Sequence, residues 1–249
     1  MNVVTRWGSP CARLPVRRDA MYRGAVMTES AVRSDEVDYL AAERPALRGW
    51  LHQWSFFAAI PAGVLLIIAA RNAESRAAAS IYFASLLAVF GTSAAYHRLA
   101  QSYRSRAIMQ RLDHSMIYVL ITGSYVPICL VALPPAWGIP LLAAVGAMGL
   151  FGMVIKLAGI QRLNTISYAL YPVMGWAAMA TFPALHTSLT GTQMALIAAG
   201  GVAYTVGFPV LLLRRPDPWP TVFGYHEVWH GFTVVAAALH FGAVLLLVS

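Results

Sequence analysis

Long apolar runs separated by short polar segments dominate the sequence after its first 49 residues. Seven runs each approach the roughly 20 residues that an α-helix needs to cross the hydrocarbon core of a bilayer. Their predicted bounds are 50–70, 76–96, 113–133, 137–157, 165–185, 192–213 and 226–248. We therefore predict an all-α polytopic membrane protein, built as a bundle of seven transmembrane helices.

The composition favours the same class of protein. The chain of 249 residues is 59% hydrophobic and 11% charged, whereas soluble proteins carry about 25% charged residues. The formal net charge of +8 comes from arginines in the tail and loops rather than from one basic face, so no nucleic acid is expected as a partner. Cys11 lies in a polar segment and Cys129 in an apolar run, and neither a disulfide nor a thiolate metal site is expected.

Residues 1–49 differ in character from the rest of the chain. They are polar and rich in arginine, and they lack the uninterrupted apolar stretch of a signal peptide. We interpret them as a disordered cytoplasmic tail to which no function is assigned. Residues 50–249 are interpreted as one transmembrane domain.

Positively charged residues are distributed unevenly between the two sides of the predicted bundle. The tail and the loops after the second, fourth and sixth runs carry sixteen lysines and arginines, and the other side carries only Arg71 and Arg76. Loops rich in lysine and arginine remain in the cytoplasm. The distribution predicts a multi-pass protein of the cytoplasmic (inner) membrane, with the N-terminus in the cytoplasm and the C-terminus outside.

Several ionisable side chains are predicted at the same membrane depth. His97 lies at the end of the second run, Asp113 begins the third, and His226 and His230 open the seventh. Residues four apart share one face of a helix, so His226 and His230 point the same way, as do Ser93 and His97. Ionisable groups are costly within a membrane, and such a cluster therefore indicates a functional site.

The cluster contains the groups of a catalytic metal site. Three neutral imidazoles that leave one coordination position open are typical of catalytic zinc, and His97, His226 and His230 are the candidate Zn²⁺ ligands. Asp113 is a candidate catalytic residue that holds the attacking water or accepts its proton. Ser93 is the second candidate catalytic residue, because it faces the same cavity as His97.

Each of these residues also has a purely structural interpretation. Asp113 fits a helix N-cap or an ion pair with Arg111, and Ser93 fits a packing serine bonded to its own backbone. His240 lies about 21 Å along the last helix from His226, so we interpret it as a packed residue with a hydrogen-bond partner. Two further histidines near span ends are assigned to the membrane interface and a third to packing beside Asp113: His52, His186 and His114.

The segment from His226 to His230 also matches the His-Glu-x-x-His pattern of zinc metalloproteases, in which the glutamate is the general base. In the common order of those enzymes the third ligand follows the pattern, whereas here it must come from upstream. Glu227 lies about 100° around the helix from His226, so its role is left open. An intramembrane protease facing the cytoplasm is therefore an alternative.

Five segments together resemble the bacterial hemolysin III family. They are Ser93-Ala-Ala-Tyr-His97, Leu112-Asp113-His-Ser-Met-Ile-Tyr118, Thr122-Gly-Ser-Tyr-Val-Pro127, Met174-Gly-Trp176 and Phe223-Gly-Tyr-His-Glu-Val-Trp-His230. That family is related to the adiponectin and progestin receptors and to the alkaline ceramidases, and the resemblance covers roughly residues 45–249. It implies a seven-helix bundle with zinc near the cytoplasmic face. By the same resemblance, the three histidines bind the metal, and Ser93 and Asp113 contact water or substrate.

The residues and the resemblance lead to one hypothesis and two alternatives. The hypothesis is a zinc-dependent hydrolase that acts on an amide or ester of a membrane lipid and has a role in membrane lipid homeostasis. The first alternative is a cytolytic or pore-forming membrane protein, as the family's name implies. The second is a receptor-like protein in which zinc is structural. The lipid and the oligomeric state are left open.

Overall fold

The fold of residues 44–249 is described by a computed structural model. Eight α-helices lie in this range: α1 Trp50–Ala69, α2 Ala73–Leu99, α3 Tyr103–Pro127, α4 Pro135–Ala158, α5 Asn164–Trp176, α6 Phe182–Ser188, α7 Gly191–Leu213 and α8 Tyr225–Val248. Three shorter helical segments accompany them: a π-helical turn Ile128–Ala132 and the 3₁₀ turns Gln161–Leu163 and Ala177–Thr181. No β-strand occurs in residues 44–249, and the prediction of an all-α fold is confirmed.

Six of these helices are long and apolar enough to cross a membrane. They are α1, α2, α3 with its π-helical turn, α4, α7 and α8, with mean hydropathies between 1.5 and 2.2. The shortest of them, α1, has 20 residues and a length of about 30 Å, which matches the thickness of the hydrocarbon core. The chain is therefore a multi-pass membrane protein.

The remaining predicted span, residues 165–185, is helical but broken. It consists of α5, the 3₁₀ turn Ala177–Thr181 and α6. Pro172 lies inside α5 and Pro183 lies in the first turn of α6, and a proline removes one hydrogen bond from the helix that contains it. The predicted count of seven crossings thus corresponds to six continuous helices and this interrupted one.

Tyr125 of α3 forms hydrogen bonds with the backbone where this span is interrupted, between α5 and α6. Its hydroxyl donates to the carbonyl oxygen of Met174 at 2.7 Å and accepts the N–H of Ala178 at 3.0 Å. Thr181 contributes a further bond, from its hydroxyl to the carbonyl of Ala178 at 2.9 Å. Backbone groups freed inside a membrane need such partners because lipid offers none.

Helix α3 begins ten residues before the predicted third span. Ser102 is its N-cap, and the Ser102 hydroxyl accepts the N–H of Ser105 at 3.1 Å. Asp113 therefore lies inside the helix, about 15 Å along its axis from Tyr103. The interpretation of Asp113 as a helix N-cap is wrong, because the cap lies about three turns earlier.

Helix α8 is the central element of the bundle. Consecutive long helices pack against one another, and α8 contacts α1, α2 and α3 in addition to α7. The first turn of α8 therefore lies where α1 begins, where α2 ends and where Asp113 lies on α3. We call this end of the bundle the histidine end.

The chain segment before α1 packs against the loop before α8. The N–H groups of Ala46 and Leu47 donate to the carbonyls of Thr221 and Val222 at 2.9 and 3.0 Å. Residues 44–49 of the predicted tail thus contact the bundle. The tail prediction for residues 1–43 lies outside the described residues.

Candidate metal centre

Three buried imidazoles meet at the histidine end. His97 is in the last turn of α2, and His226 and His230 are in the first two turns of α8. Each of the three residues is between 3% and 6% exposed, and one nitrogen from each lies within 4.8 Å of the others. The ring centroids are 4.5 to 5.2 Å apart. The helices therefore bring together the three predicted ligands.

The spacing of the nitrogens suits a tetrahedral metal ion. The Nε2 atoms of His97 and His226 are 3.1 Å apart. Two nitrogen ligands at the usual zinc distance of about 2.0–2.1 Å are expected about 3.3 Å apart in a tetrahedral site. Imidazole nitrogen is also a ligand that zinc favours, so the cluster can hold a metal ion of this kind with little movement of the rings.

Asp113 and Ser93 lie beside the imidazoles. The Asp113 Oδ2 atom is 3.9 Å from the Nε2 of His97, too far for a hydrogen bond but within reach of a group bound between them. Ser93 is 1% exposed, and its hydroxyl neighbours the Asp113 carboxyl without forming an aligned hydrogen bond. Because it forms no aligned hydrogen bond within residues 44–249, the Ser93 hydroxyl can donate to a ligand bound at this point.

Glu227 turns away from the imidazoles and stabilises the start of α8. Its Oε2 accepts the N–H of Gly224 at 2.8 Å. Its other oxygen forms an ion pair with Arg48, without the alignment of a hydrogen bond. The structure therefore gives Glu227 a capping role and leaves no metalloprotease-like base on α8.

His52 is the residue of this region that the sequence analysis missed. It was assigned to the membrane interface, but it is 4% exposed, and its ring stacks on that of His230 with centroids 3.7 Å apart. Its Nε2 bonds to the Thr233 hydroxyl at 2.9 Å. The interfacial assignment is wrong, because α1 packs against α8 and covers this side chain.

The other histidines lie outside the cluster. His240 contacts the carbonyl of Ile197 at 3.2 Å, which confirms its interpretation as a packed residue with a hydrogen-bond partner. His186 is exposed near the end of α6. His114 packs against Tyr168, with ring centroids 6.1 Å apart, and so faces α5 rather than the three imidazoles.

The three candidate ligands lack hydrogen bonds at their second ring nitrogens. Their Nδ1 atoms are buried and have no hydrogen-bond partner within residues 44–249. Each ring instead lies against another aromatic ring: His97 on Tyr96, His226 on Tyr225 and His230 on His52. Metal-binding histidines usually donate their second ring nitrogen to a carboxylate, a carbonyl or water, and among the described residues these three rings have aromatic neighbours instead.

The fold and this site define a multi-pass membrane protein with a buried cluster of three histidines that can hold a metal ion. The family described as "Haemolysin-III related" matches residues 40–241, and the chain belongs to it. The resemblance found in the sequence is therefore confirmed.

Bacterial and plant relatives match most of the described residues. The "Hemolysin-3 homolog" of Bacillus subtilis (strain 168) is 33% identical, over 75% of this chain and 85% of the relative. The "Hemolysin-3" of Bacillus cereus is 31% identical, over 76% and 84%. The "Heptahelical transmembrane protein ADIPOR2" of Oryza sativa subsp. japonica is 26% identical, over 68% and 81%.

Proposed function

We propose that this protein is a zinc-dependent hydrolase that cleaves an amide or ester of a membrane lipid at the cytoplasmic side of the inner membrane. One observation carries the proposal: three buried imidazoles, a carboxyl and an unpaired serine hydroxyl converge at one end of an apolar bundle. Buried ionisable groups in membrane helices are maintained for function. The reaction would take part in membrane lipid homeostasis.

Each residue of the site has its own role in the proposed hydrolysis. His97, His226 and His230 would hold the metal ion, which would supply Lewis-acid chemistry to the reaction. Asp113 takes the proton of the attacking water and returns it to the leaving amine or alcohol. Ser93 donates its hydroxyl proton to the oxygen of the carbonyl that is attacked. Water adds to the carbonyl carbon, and the C–N or C–O bond breaks.

The surroundings of the site favour a lipid as the substrate. The three imidazoles lie within helices that are long and apolar enough to cross a membrane, and large apolar side chains such as Leu65 and Ile68 of α1 are exposed on the outside. An acyl chain can approach such a surface from the bilayer without losing its apolar surroundings.

The first test measures zinc and hydrolysis in the purified protein. We expect about one zinc per chain and cleavage of fluorescent lipid amides or esters in detergent micelles. His97→Ala removes a ligand and should abolish both. His186→Ala alters an exposed histidine outside the cluster and should leave both unchanged. Full zinc retention by the His97 variant would refute the metal assignment.

The names of two relatives favour cytolysis as a second candidate. Both Bacillus proteins carry the word hemolysin in their names. A cytolytic protein would release dye from liposomes, and its activity would not require the three imidazoles. Leakage that persists when His97, His226 and His230 are all replaced by alanine would support cytolysis over hydrolysis.

A further inference from the structure

The segment of residues 44–52, which we call the arm, contacts the surroundings of each candidate ligand in turn. It runs past the histidine end and continues into the first turn of α1. It supplies one contact beside His97, one beside His226 and one beside His230. These three contacts come from Arg44, Arg48 and His52, which lie four residues apart.

Arg44 holds the end of α2. Its Nη1 donates to the carbonyls of Tyr96 and His97 at 3.0 and 2.8 Å, and its guanidinium lies over the ring of Tyr96 at 5.0 Å. The last carbonyls of a helix have no partner within the helix and attract positive charge. The contact therefore fixes the turn that carries His97.

Gly49 lets the arm approach His97 directly. Its φ of 80° lies in the left-handed region, which glycine adopts without strain. A Cβ atom at this position would be 2.6 Å from the Cβ of His97, closer than such atoms can pack. The backbone of the arm thus forms one wall of the site.

Arg48 holds the first turn of α8 through Glu227. The side chains are 13% and 1% exposed, so the ion pair is shielded from solvent. Glu227 follows His226 in the sequence and also accepts the N–H of Gly224. When one member of a buried ion pair is removed, the other remains as an uncompensated charge. Arg48 and Glu227 therefore depend on each other to keep this turn in place.

His52 supports His230 through two contacts. Its ring stacks on the ring of His230, and its Nε2 meets the Thr233 hydroxyl, which in turn donates to the carbonyl of His230 at 2.8 Å. Because the hydroxyl has a single proton and gives it to that carbonyl, Nε2 of His52 must be the donor to Thr233. The ring and backbone of His230 are thereby both tied to α1.

We propose that the arm is the outer support of the metal centre, with Arg48 and His52 as positioning residues that set how tightly and for how long the metal is held. The proposal rests on the proposed function, because it requires the three imidazoles to bind metal. Within the described residues, the Nδ1 atoms of the ligand rings lack the usual hydrogen-bonded support, and the arm contacts the ring or the helix turn of each of the three ligands. Loss of such support typically weakens metal binding by 10–100-fold.

The test compares zinc affinity among full-length variants by competition with a chelator. His52→Ala removes both the stack and the bond to Thr233, and we expect affinity to fall by about 10–100-fold. His52→Phe retains a ring but not the bond, so an intermediate loss is expected. Arg76→Met is the matched control, because Arg76 lies in the first turn of α2, near the far end of the bundle, and it should bind zinc as tightly as the unaltered protein.

The ion pair is tested by a double-mutant cycle. Arg48→Met leaves Glu227 charged and unpaired, and Glu227→Gln leaves Arg48 unpaired while an amide oxygen can still accept the N–H of Gly224. Each single variant should release zinc faster than the unaltered protein. The double variant has no unpaired buried charge, so it should recover part of the loss of the worse single variant.

A spectroscopic readout separates positioning from general stability. In this experiment the metal-free protein is loaded with Co²⁺ instead of Zn²⁺, and the visible absorption of the cobalt reports the geometry of its ligands. We expect His52→Ala to shift this spectrum, and Arg76→Met to leave it unchanged. Zinc affinity within twofold of the unaltered protein in both His52→Ala and Arg48→Met, with an unchanged cobalt spectrum, would overturn the proposal and leave the proposed function intact. Failure of the unaltered protein to bind zinc would instead overturn the proposed function and the support role together.

Discussion

At the scale of single residues, the site contains three imidazoles that can hold a metal ion and, beside them, a carboxyl and a hydroxyl to which the proposed function gives catalytic roles. The imidazole nitrogens of His97 and His226 are spaced for coordination. Asp113 is 3.9 Å from His97 and so lies beside the metal position rather than in place of a ligand. Ser93 lies beside the Asp113 carboxyl, and its hydroxyl forms no aligned hydrogen bond within the described residues. Substitutions at Asp113 and Ser93 should therefore alter catalysis while the metal is retained.

The clearest case is Asp113→Asn, which keeps the shape of the side chain and removes its ability to take a proton. We expect the rate of lipid hydrolysis to fall by about 10²–10⁴-fold, the usual contribution of a general base. Zinc content should remain at that of the unaltered protein. Both quantities are measured on the same purified sample, and full hydrolysis by this variant would exclude Asp113 as the proton acceptor.

Ser93→Ala tests the second catalytic role. Alanine fits the same helix face and removes a buried hydroxyl that lacks an aligned hydrogen bond. The variant should therefore be as stable as the unaltered protein or slightly more stable. Loss of one donor to a developing oxyanion costs about 10²–10³-fold in rate. Thermal unfolding and hydrolysis measured together check this combination, and an unchanged rate would assign Ser93 to packing alone.

Sequence reasoning predicted which residues meet at the histidine end, because their spacing and membrane depth are visible in the chain, and their roles stay predictions. It could not place His52 or settle Glu227. The stack of His52 on His230 depends on how α1 packs against α8, and no local pattern encodes that. Glu227 lies in a metalloprotease-like pattern, but the direction of its side chain depends on contacts with Gly224 and Arg48. Arg48 belongs to a segment that the sequence alone assigns to a tail.

At the scale of elements, the search for apolar runs long enough to cross a bilayer identified the apolar part of each helix rather than its full length. Residues 103–112 carry three arginines and were predicted as a loop, yet they form the first turns of α3. Ser102 provides a helix start signal that hydropathy does not register. The broken span 165–185 shows the opposite case, since it carries no charged residue but contains prolines that interrupt it.

Tyr125→Phe tests how the broken crossing is stabilised. The variant keeps the ring but loses the hydroxyl that bonds the Met174 carbonyl and the Ala178 N–H. The Met174 carbonyl keeps the backbone N–H of Ala177, but the Ala178 N–H loses its partner. A buried donor left without a partner costs about 1–3 kcal/mol, so the free energy of unfolding should fall by about that amount. Tyr103→Phe is the control, because Tyr103 is exposed at the start of α3. This variant should change the free energy of unfolding by less than about 0.5 kcal/mol.

At the scale of the whole molecule, the distribution of positive charge predicts that the histidine end faces the cytoplasm. That end carries Arg104 in the first turn of α3, Lys156 in the last turn of α4 and Arg214 after α7, and the other end carries Arg71 and Arg76. Orientation matters for function because it decides which leaflet's head groups can reach the site. It also decides which compartment must supply the metal.

The two cysteines allow this orientation to be measured in cells. Cys129 is 2% exposed and free, so it should resist a membrane-impermeant maleimide. Cys11 lies in the predicted cytoplasmic tail and should react only after the membrane is permeabilised. Cys11→Ser removes that signal and serves as the control. Labelling of Cys11 in intact spheroplasts would reverse the predicted orientation.

The position of α8 at the centre of the bundle also dictates an order of assembly. Two of the three imidazoles belong to this helix and the third to α2, with more than one hundred residues of chain between them. A ribosome makes α2 long before α8, and during that interval His97 has neither of its partners. On the proposed function, metal loading would follow the insertion of α8, so the centre would be completed as a late step of biogenesis and would mark a fully assembled bundle.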